Sequence, residues 1–515
     1  MKTKEHYRRL WVLSAVFVLL LLVLFARMVW LTVIKQDFLA SQGEARSVRV
    51  LEVPAYRGMI TDRQGLPLAV STPVLSLWVN PALFHAEPNE LKRLADYLQI
   101  SADALVQRIN AGSNRGFLYL KRHLAPPLAE KIKELGLPGL NFQQEFKRFY
   151  PEGRSTAHLL GFTNIDDQGQ EGLELIYQDW LMGINGKKKV IKDRKGHIID
   201  ETQRLKEPRP GHDLTLSIDR RIQFIAFQEL SRTVKEYGAR AGTAVVLDAK
   251  TGELLALVNA PSFNPNRRSA YDPEHYRNRA FTDAFEPGSV IKPLSLASAI
   301  ESGKYTAETV IDTRPSWMMV HKHIIRDIRN YGVLNVQEVL QHSSNVGVSK
   351  MVLANPPEQL INLFRKCGFG QRTEIAYPGE TEGTLPHPVD ANPFVLATMG
   401  FGYGLSVSAV QMAKAYLAIA NHGKMIPVSI LYQNNPPKGE QILSKNTADQ
   451  ILAMMETVVA KEGTGKKAVV PGYRVAGKTG TARIAGKNGY DMDRHIASFA
   501  GIAPVSDPRL IVMTV

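Results

Sequence analysis

Residues 285–300 read FEPGSVIKPLSLASAI. A Pro-Gly turn gives way to a serine, then to an apolar run with helical spacing. Two readings fit: Ser289 caps the helix, or Ser289 is a nucleophile at the helix's positive end. Ser289-Val290-Ile291-Lys292 is the one Ser-x-x-Lys in the chain. Positions i and i+3 share a helix face, so the hydroxyl and the amine can meet. A serine hydroxyl needs an adjacent base before it attacks, and a desolvated, neutral lysine can serve. Pro293 has no N–H to return to the Ser289 carbonyl, so the helix should begin close to Ser289. There, free N–H groups and the helix dipole would stabilise an oxyanion. The capping-box partner is absent, since Lys292 stands where Glu or Gln would be. This segment alone leaves both readings open.

Two further motifs come with decoys. Ser-x-Asn occurs at Ser262/Asn264, Ser343/Asn345 and Ser444/Asn446. The first lies in a Pro-rich turn, and the third opens an amphipathic helix where short polar residues are ordinary caps. The middle one, in HSSNVGVSK, falls between two helical runs, where a tight turn could aim Ser343 and Asn345 into one cleft. Lys-Thr-Gly occurs at 250–252, the polar tip of a hairpin, and again at 478–480 within the strand-like run YRVAGKTGTARI. A strand edge at Lys478, Thr479, Gly480 and Thr481 could offer an ammonium, hydroxyls and backbone N–H groups to an anionic, peptide-like substrate. Gly480 would permit close approach of a ligand to the backbone. Strand candidates at 241–260 and in the final forty residues, with helices between, predict one sheet built from both ends of this region.

The rest of the chain sets the context. Its 515 residues exceed one ordinary domain, and EPRPG at 207–211 reads as a seam. Leu10 to Ala26 carries no charge and the apolar character resumes through Ile34, enough to span a bilayer. Lys2, Lys4, Arg8 and Arg9 precede it against Glu5, which predicts a cytoplasmic tail at 1–9 and export of the remainder. A cleavable signal peptide would have a shorter apolar core and a small-x-small site. The net charge of +14 is dispersed, without zinc-finger or RNA-binding signatures, so nucleic acid is not expected as a partner. One cysteine, Cys367, excludes an internal disulfide or a multi-cysteine metal site, and no histidine shows metal-ligand spacing, so no metal or cofactor is expected. EGTGKK at 462–467 lacks the residues of a phosphate loop, and GFGYGLS at 400–406 lacks a preceding strand. Val515 ends the chain inside an apolar strand-like run, which reads as a truncation of the last domain.

Order and spacing select Ser289/Lys292, then Ser343/Asn345, then Lys478-Thr479-Gly480. That set resembles the serine penicillin-recognising transpeptidases. RGMITDRQGLPLA (57–69), FKRFYPEGRSTAHLLGF (146–162) and EGLELIYQDWLMG (171–183) resemble the pedestal of class B penicillin-binding proteins. NRAFTDAFEPGSVIKP and GYRVAGKTGTARI are similar to FtsI-like division members. The resemblance implies a mixed α+β fold: a transmembrane anchor at 10–34, an elongated pedestal domain at 35–210, and a transpeptidase domain at 211–515 with an antiparallel sheet flanked by helices. It implies Ser289 as the acyl-accepting nucleophile, Lys292 as its base, Ser343 as proton relay and Asn345 as orienter of the substrate peptide. Lys478 would supply positive potential, and Thr479 and Thr481 would receive the substrate carboxylate. The Ser289 and Thr481 N–H groups would form the oxyanion hole. Donors would be stem peptides ending in D-Ala-D-Ala, with β-lactams as covalent mimics. The implied partners are an FtsW-like glycosyltransferase and other division proteins, at the inner membrane with the catalytic domain periplasmic. Competing readings are a β-lactamase, a carboxypeptidase, an elongation-type transpeptidase, and a non-catalytic β-lactam sensor or division scaffold.

Overall fold

The structure, a computed structural model, describes residues 2–192, 198–267, 273–486 and 489–515. Near the N-terminus, Lys2–Val29 is one α-helix continued by a wider turn at Trp30–Ile34. Lys4–Ile34, 31 residues, is long and apolar enough to cross a membrane. Leu19, Leu20, Leu21 and Leu22, successive positions around the helix, are all exposed, an apolar surface on every side that water would not favour.

Chain segments sort into two compact units. The first comprises 1–56, 72–147 and 183–211. Here Gly186–Lys192 pairs antiparallel with both Val48–Val53 and Ile198–Lys206. A separate core is formed by Leu77, Leu94, Leu98, Leu105, Leu120 and Ile132, drawn from strands and from the helices Pro88–Leu98, Ala102–Ala111 and Pro126–Lys133.

The second unit comprises 57–71, 148–182 and 212–515. Two segments within the 35–210 expected of the pedestal, 57–71 and 148–182, thus group with the region after 211. Arg63 pairs with Glu253 and Gln64 Nε2 donates to Asp219 Oδ2, while a buried charge joins the two segments to each other. Glu174 is fully buried and accepts from Arg57 Nε and Arg148 Nε, each at 2.6 Å. Neither guanidinium could leave without stranding a carboxylate in a low-dielectric interior. In the same unit Leu214 and Thr215 run parallel to Ile60 and Thr61.

The sheet expected from both ends of the last region is present. Its strands are β1 (Gly242–Asp248), β2 (Leu254–Ala260), β3 (Ala476–Gly486), β4 (Gly489–Ala503) and β5 (Leu510–Thr514). They lie in the order β2-β1-β5-β4-β3, every pair antiparallel. Alternation along β1 sends Val245 and Leu247 into the main core while Val246 joins Leu255, Ala256 and Ile222 on the opposite face. Both faces are therefore covered, which is why β1 and β2 read as continuous apolar runs. Ile222 belongs to α1 (Arg220–Glu236), on one face. The main core holds α2 (Lys292–Glu301), α3 (Val336–Gln341) and part of α4 (Asn345–Leu353). β3 is left at the edge of the sheet.

Candidate active site

The helix start predicted around Ser289 is a 3-10 turn, Gly288–Ile291, running straight into α2 at Lys292. Pro293 takes the second helical position, where a missing N–H is no loss. Ser289's side chain caps neither element, which removes the capping reading. Gly288 has φ +56 and donates its N–H to Gly402 O at 3.0 Å. A Cβ on Gly402, itself at φ +94, would fall 2.1 Å from Gly288 O. Two glycines thus let the 400–404 loop lie directly against the Gly288–Ile291 turn.

Lys292 is fully buried. Its Nζ donates to Ser343 O at 2.6 Å, Asn345 Oδ1 at 2.7 Å and Ser343 Oγ at 3.1 Å. Burial, reinforced by the charge of Lys478, pushes this lysine well below its ordinary pKa, against a weaker opposite pull from Asp327. A neutral amine keeps two N–H donors and one lone pair. The two carbonyl-type oxygens of Ser343 and Asn345 absorb the donors, and the lone pair is left for a hydroxyl. That is the state a general base requires.

Lys478 is also fully buried, and burial lowers it to about 7. Its Nζ donates to Ser343 Oγ at 3.0 Å and Thr479 O at 3.1 Å. The Ser343 hydroxyl therefore bridges two lysine nitrogens, at 3.0 and 3.1 Å. Ser343 sits in the turn between α3 and α4 at φ +61, a left-handed conformation costly for a residue with a Cβ.

Asp327 holds that turn in place, and no sequence motif pointed to it. It follows the hairpin Trp317–Val320/His323–Arg326. Its Oδ2 accepts from Ser344 Oγ at 2.6 Å, and its Oδ1 accepts from the N–H groups of Asn345 at 2.5 Å and Val346 at 3.1 Å. An anion at the first turn of α4 is favoured by the free N–H groups there. Ser344 Oγ in turn accepts from Gly347 N at 2.9 Å. Asn345 Nδ2 donates to Arg326 O at 3.0 Å, which orients the amide so that Oδ1 faces Lys292.

On β3, Thr481 is exposed and Thr479 half-buried, its hydroxyl donating to Thr464 Oγ1 at 2.9 Å. Gly480 was expected to let a ligand approach. A Cβ there would instead meet Ser498 Oγ at 2.4 Å, Val290 Cγ1 at 2.9 Å and Pro287 O at 3.1 Å. The close approach is that of the nucleophile turn, which the glycine admits against β3. Tyr403, from the glycine-rich stretch, accepts from Arg483 N at 3.4 Å and meets Tyr490 edge-on at 5.4 Å.

The decoys fold into ordinary local structure. Ser444 caps the helix Lys445–Val459 by accepting from Thr447 N. Ser262 donates to Arg154 O at 2.8 Å. Lys250 pairs with Asp507 at the tip of the β1–β2 hairpin. Ser343 and Asn345, by contrast, both meet Lys292, itself one helical turn from Ser289, and Lys478 meets the Ser343 hydroxyl.

The profile of the penicillin binding protein transpeptidase domain matches residues 242–515, and that of the penicillin-binding protein dimerisation domain matches residues 52–216. The probable peptidoglycan D,D-transpeptidase PbpC of Pseudomonas aeruginosa is 42% identical over 509 residues, covering 99% of this chain and 90% of the relative. FtsI of Escherichia coli K12, a peptidoglycan D,D-transpeptidase, is 41% identical over 508 residues, covering 98% and 86%. The crystal structure of penicillin binding protein 3 from Mycobacterium tuberculosis, complexed with aztreonam, matches with a TM-score of 0.70 at 27% identity over 90% of each chain. Matched along nearly its whole length, and carrying a buried lysine bonded to Ser343 and Asn345 beside the Gly288–Ile291 turn, the chain belongs to the class B penicillin-binding proteins, the serine peptidoglycan D,D-transpeptidases that β-lactams target.

Proposed function

We propose that this chain cross-links peptidoglycan stem peptides at the division septum. The observation that carries the chemistry is the desolvated Lys292, with its donors absorbed by Ser343 O and Asn345 Oδ1. Lys292 takes the Ser289 proton as the hydroxyl attacks the carbonyl between the two D-Ala residues. The tetrahedral oxyanion faces the N–H groups of Ser289 and Thr481. Ser343 Oγ, in contact with both lysines, passes a proton to the leaving D-Ala amine. Lys478 contributes positive potential, and the hydroxyls of Thr479 and Thr481 receive the terminal carboxylate. The peptide lies along the open edge of β3 as an added strand, guided by Asn345. An amine from a neighbouring stem then attacks the acyl-enzyme, and the cross-link forms as Ser289 is released. A β-lactam follows the same first step, but its opened ring stays tethered and blocks the incoming amine.

The septal assignment is supported by the likeness to FtsI, and it brings with it an FtsW-like glycosyltransferase and other division proteins as partners. The apolar Lys4–Ile34 helix and the basic residues before it support a single-pass anchor with the catalytic unit periplasmic. Labelling by a fluorescent penicillin tests the chemistry: the unmodified protein should label stably and Ser289→Ala should not. Complementation of a strain depleted of its septal transpeptidase tests the role. Rescue of division by the unmodified protein and not by Ser289→Ala is expected. Rescue of elongation alone would favour the elongation-type reading, and rescue by Ser289→Ala a scaffold.

A further inference from the structure

Glu286 stands three residues before Ser289, and nothing in the mechanism uses it. Its Oε1 accepts from Gly404 N at 2.8 Å and from Tyr490 OH at 3.1 Å. One carboxylate oxygen therefore ties together the nucleophile turn, the 402–404 loop and the β3–β4 hairpin. The second oxygen, Oε2, is buried and has no hydrogen-bond partner among the described residues. Such an unsatisfied acceptor is costly, and a neutral side chain would avoid the cost. The tie is reinforced on both sides. Gly288 N binds Gly402 O, and Arg483 N on β3 binds the hydroxyl of Tyr403, whose ring packs on Tyr490. Burial and the charge of Glu286 push the Tyr490 phenol up to about 12, so it remains a donor throughout the neutral range.

We propose that Glu286 is a positioning residue that fixes the separation between the open edge of β3 and the nucleophile turn, and thereby sets the affinity of the cleft for its acyl donor. The proposal rests on Ser289 as the nucleophile. Glu286 has no hydrogen bond to Lys292 or Ser343 among the described residues, so loosening the tie leaves that proton-transfer pair in place. The loss falls chiefly on binding, and on the limiting rate only through the spacing of the Ser289 and Thr481 N–H groups.

The test follows the time course of labelling of the full chain over a range of fluorescent penicillin concentrations. Tyr490→Phe and Glu286→Ala should each raise the half-saturating concentration by about tenfold, the worth of a hydrogen bond to a charged group, with a smaller fall in the limiting rate. The double variant should be no worse than either alone, because both remove the same tie. Glu286→Gln, whose amide oxygen still accepts, should stay near the unmodified protein. An unchanged half-saturating concentration in Tyr490→Phe and Glu286→Ala would overturn the proposal. A smaller labelled fraction at unchanged half-saturation would also overturn it, since that is the mark of a merely structural residue. Undiminished labelling of Ser289→Ala would instead overturn the nucleophile assignment beneath it.

Discussion

Replacing Asp327 by asparagine probes how the Ser343 turn is held and how Lys292 is tuned. The carboxylate accepts three hydrogen bonds, from Ser344 Oγ and from the N–H groups of Asn345 and Val346. An amide can meet the two N–H groups with its oxygen, but its NH2 then faces Ser344 Oγ, which already accepts from Gly347 N. The Ser344 hydroxyl must turn from donor to acceptor, and all three bonds lose their charge assistance. Charge-assisted bonds contribute about 1.5–3 kcal/mol against about 1 for neutral ones, so the turn is destabilised by roughly 1.5–3 kcal/mol. Ser343 is already held at φ +61, and it relaxes when that hold weakens. The limiting acylation rate should fall by about ten- to a hundredfold.

The same substitution acts on Lys292 in the opposite sense. Asp327 raises the lysine's pKa by favouring its ammonium form, so removing the charge lowers it further. The neutral base then persists to lower pH, and the acid limb of the acylation profile moves down. Stopped-flow acylation by a chromogenic β-lactam, between about pH 5 and pH 9, separates the two effects. A slower plateau with its acid limb displaced downward is expected. An unchanged plateau, or an acid limb displaced upward, would refute the reasoning.

Lys478 predicts a pH-dependent stability. Its pKa in the fold is about 7, below the ordinary 10.5, so between these values the unfolded chain binds the extra proton and stability rises with pH. The slope is at most about 1.4 kcal/mol per pH unit for this one group. Tm should therefore climb from pH 7 to pH 9 more steeply in the unmodified protein than in Lys478→Met, and equal slopes would count against it. Glu174→Ala strands two buried guanidiniums and should cost about 3–5 kcal/mol, read as a lower Tm of the second unit; a shift of a degree or less would contradict the pairing. Ser444→Ala should lose about 1 kcal/mol of helix capping with acylation untouched, whereas Ser343→Ala should lose acylation with stability near that of the unmodified protein. A labelling defect in Ser444→Ala would mean that the wrong Ser-x-Asn had been chosen.

Helix starts, caps and strand runs depend on neighbours within a few residues, and these were readable. Pro293 marked where α2 begins, two apolar runs about a polar turn marked the β1–β2 hairpin, and the run after Ser444 marked a capped helix. The choice among three Ser-x-Asn and two Lys-Thr-Gly sites was also legible, through chain order and the family resemblance. In the fold, Ser343, Asn345 and Lys478 all reach Lys292 or its partner hydroxyl.

What the linear chain does not carry is contact between segments without a shared period or motif. Arg57, Arg148 and Glu174 each look like a solvated charge in sequence, yet all three are buried together and join the segments 57–71 and 148–182 to each other. Gly480 looked like room for a ligand and proved to be room for the nucleophile turn. Asp327 and Glu286 belong to no motif, because their roles are defined by N–H groups and hydroxyls that arrive from other elements. Sequence alone nominated the residues proposed to carry the chemistry, since an i, i+3 helix pair and a strand register are local geometry. Tertiary structure decided how those residues are tuned, since desolvation and hydrogen-bond partners exist only once distant segments have packed around them.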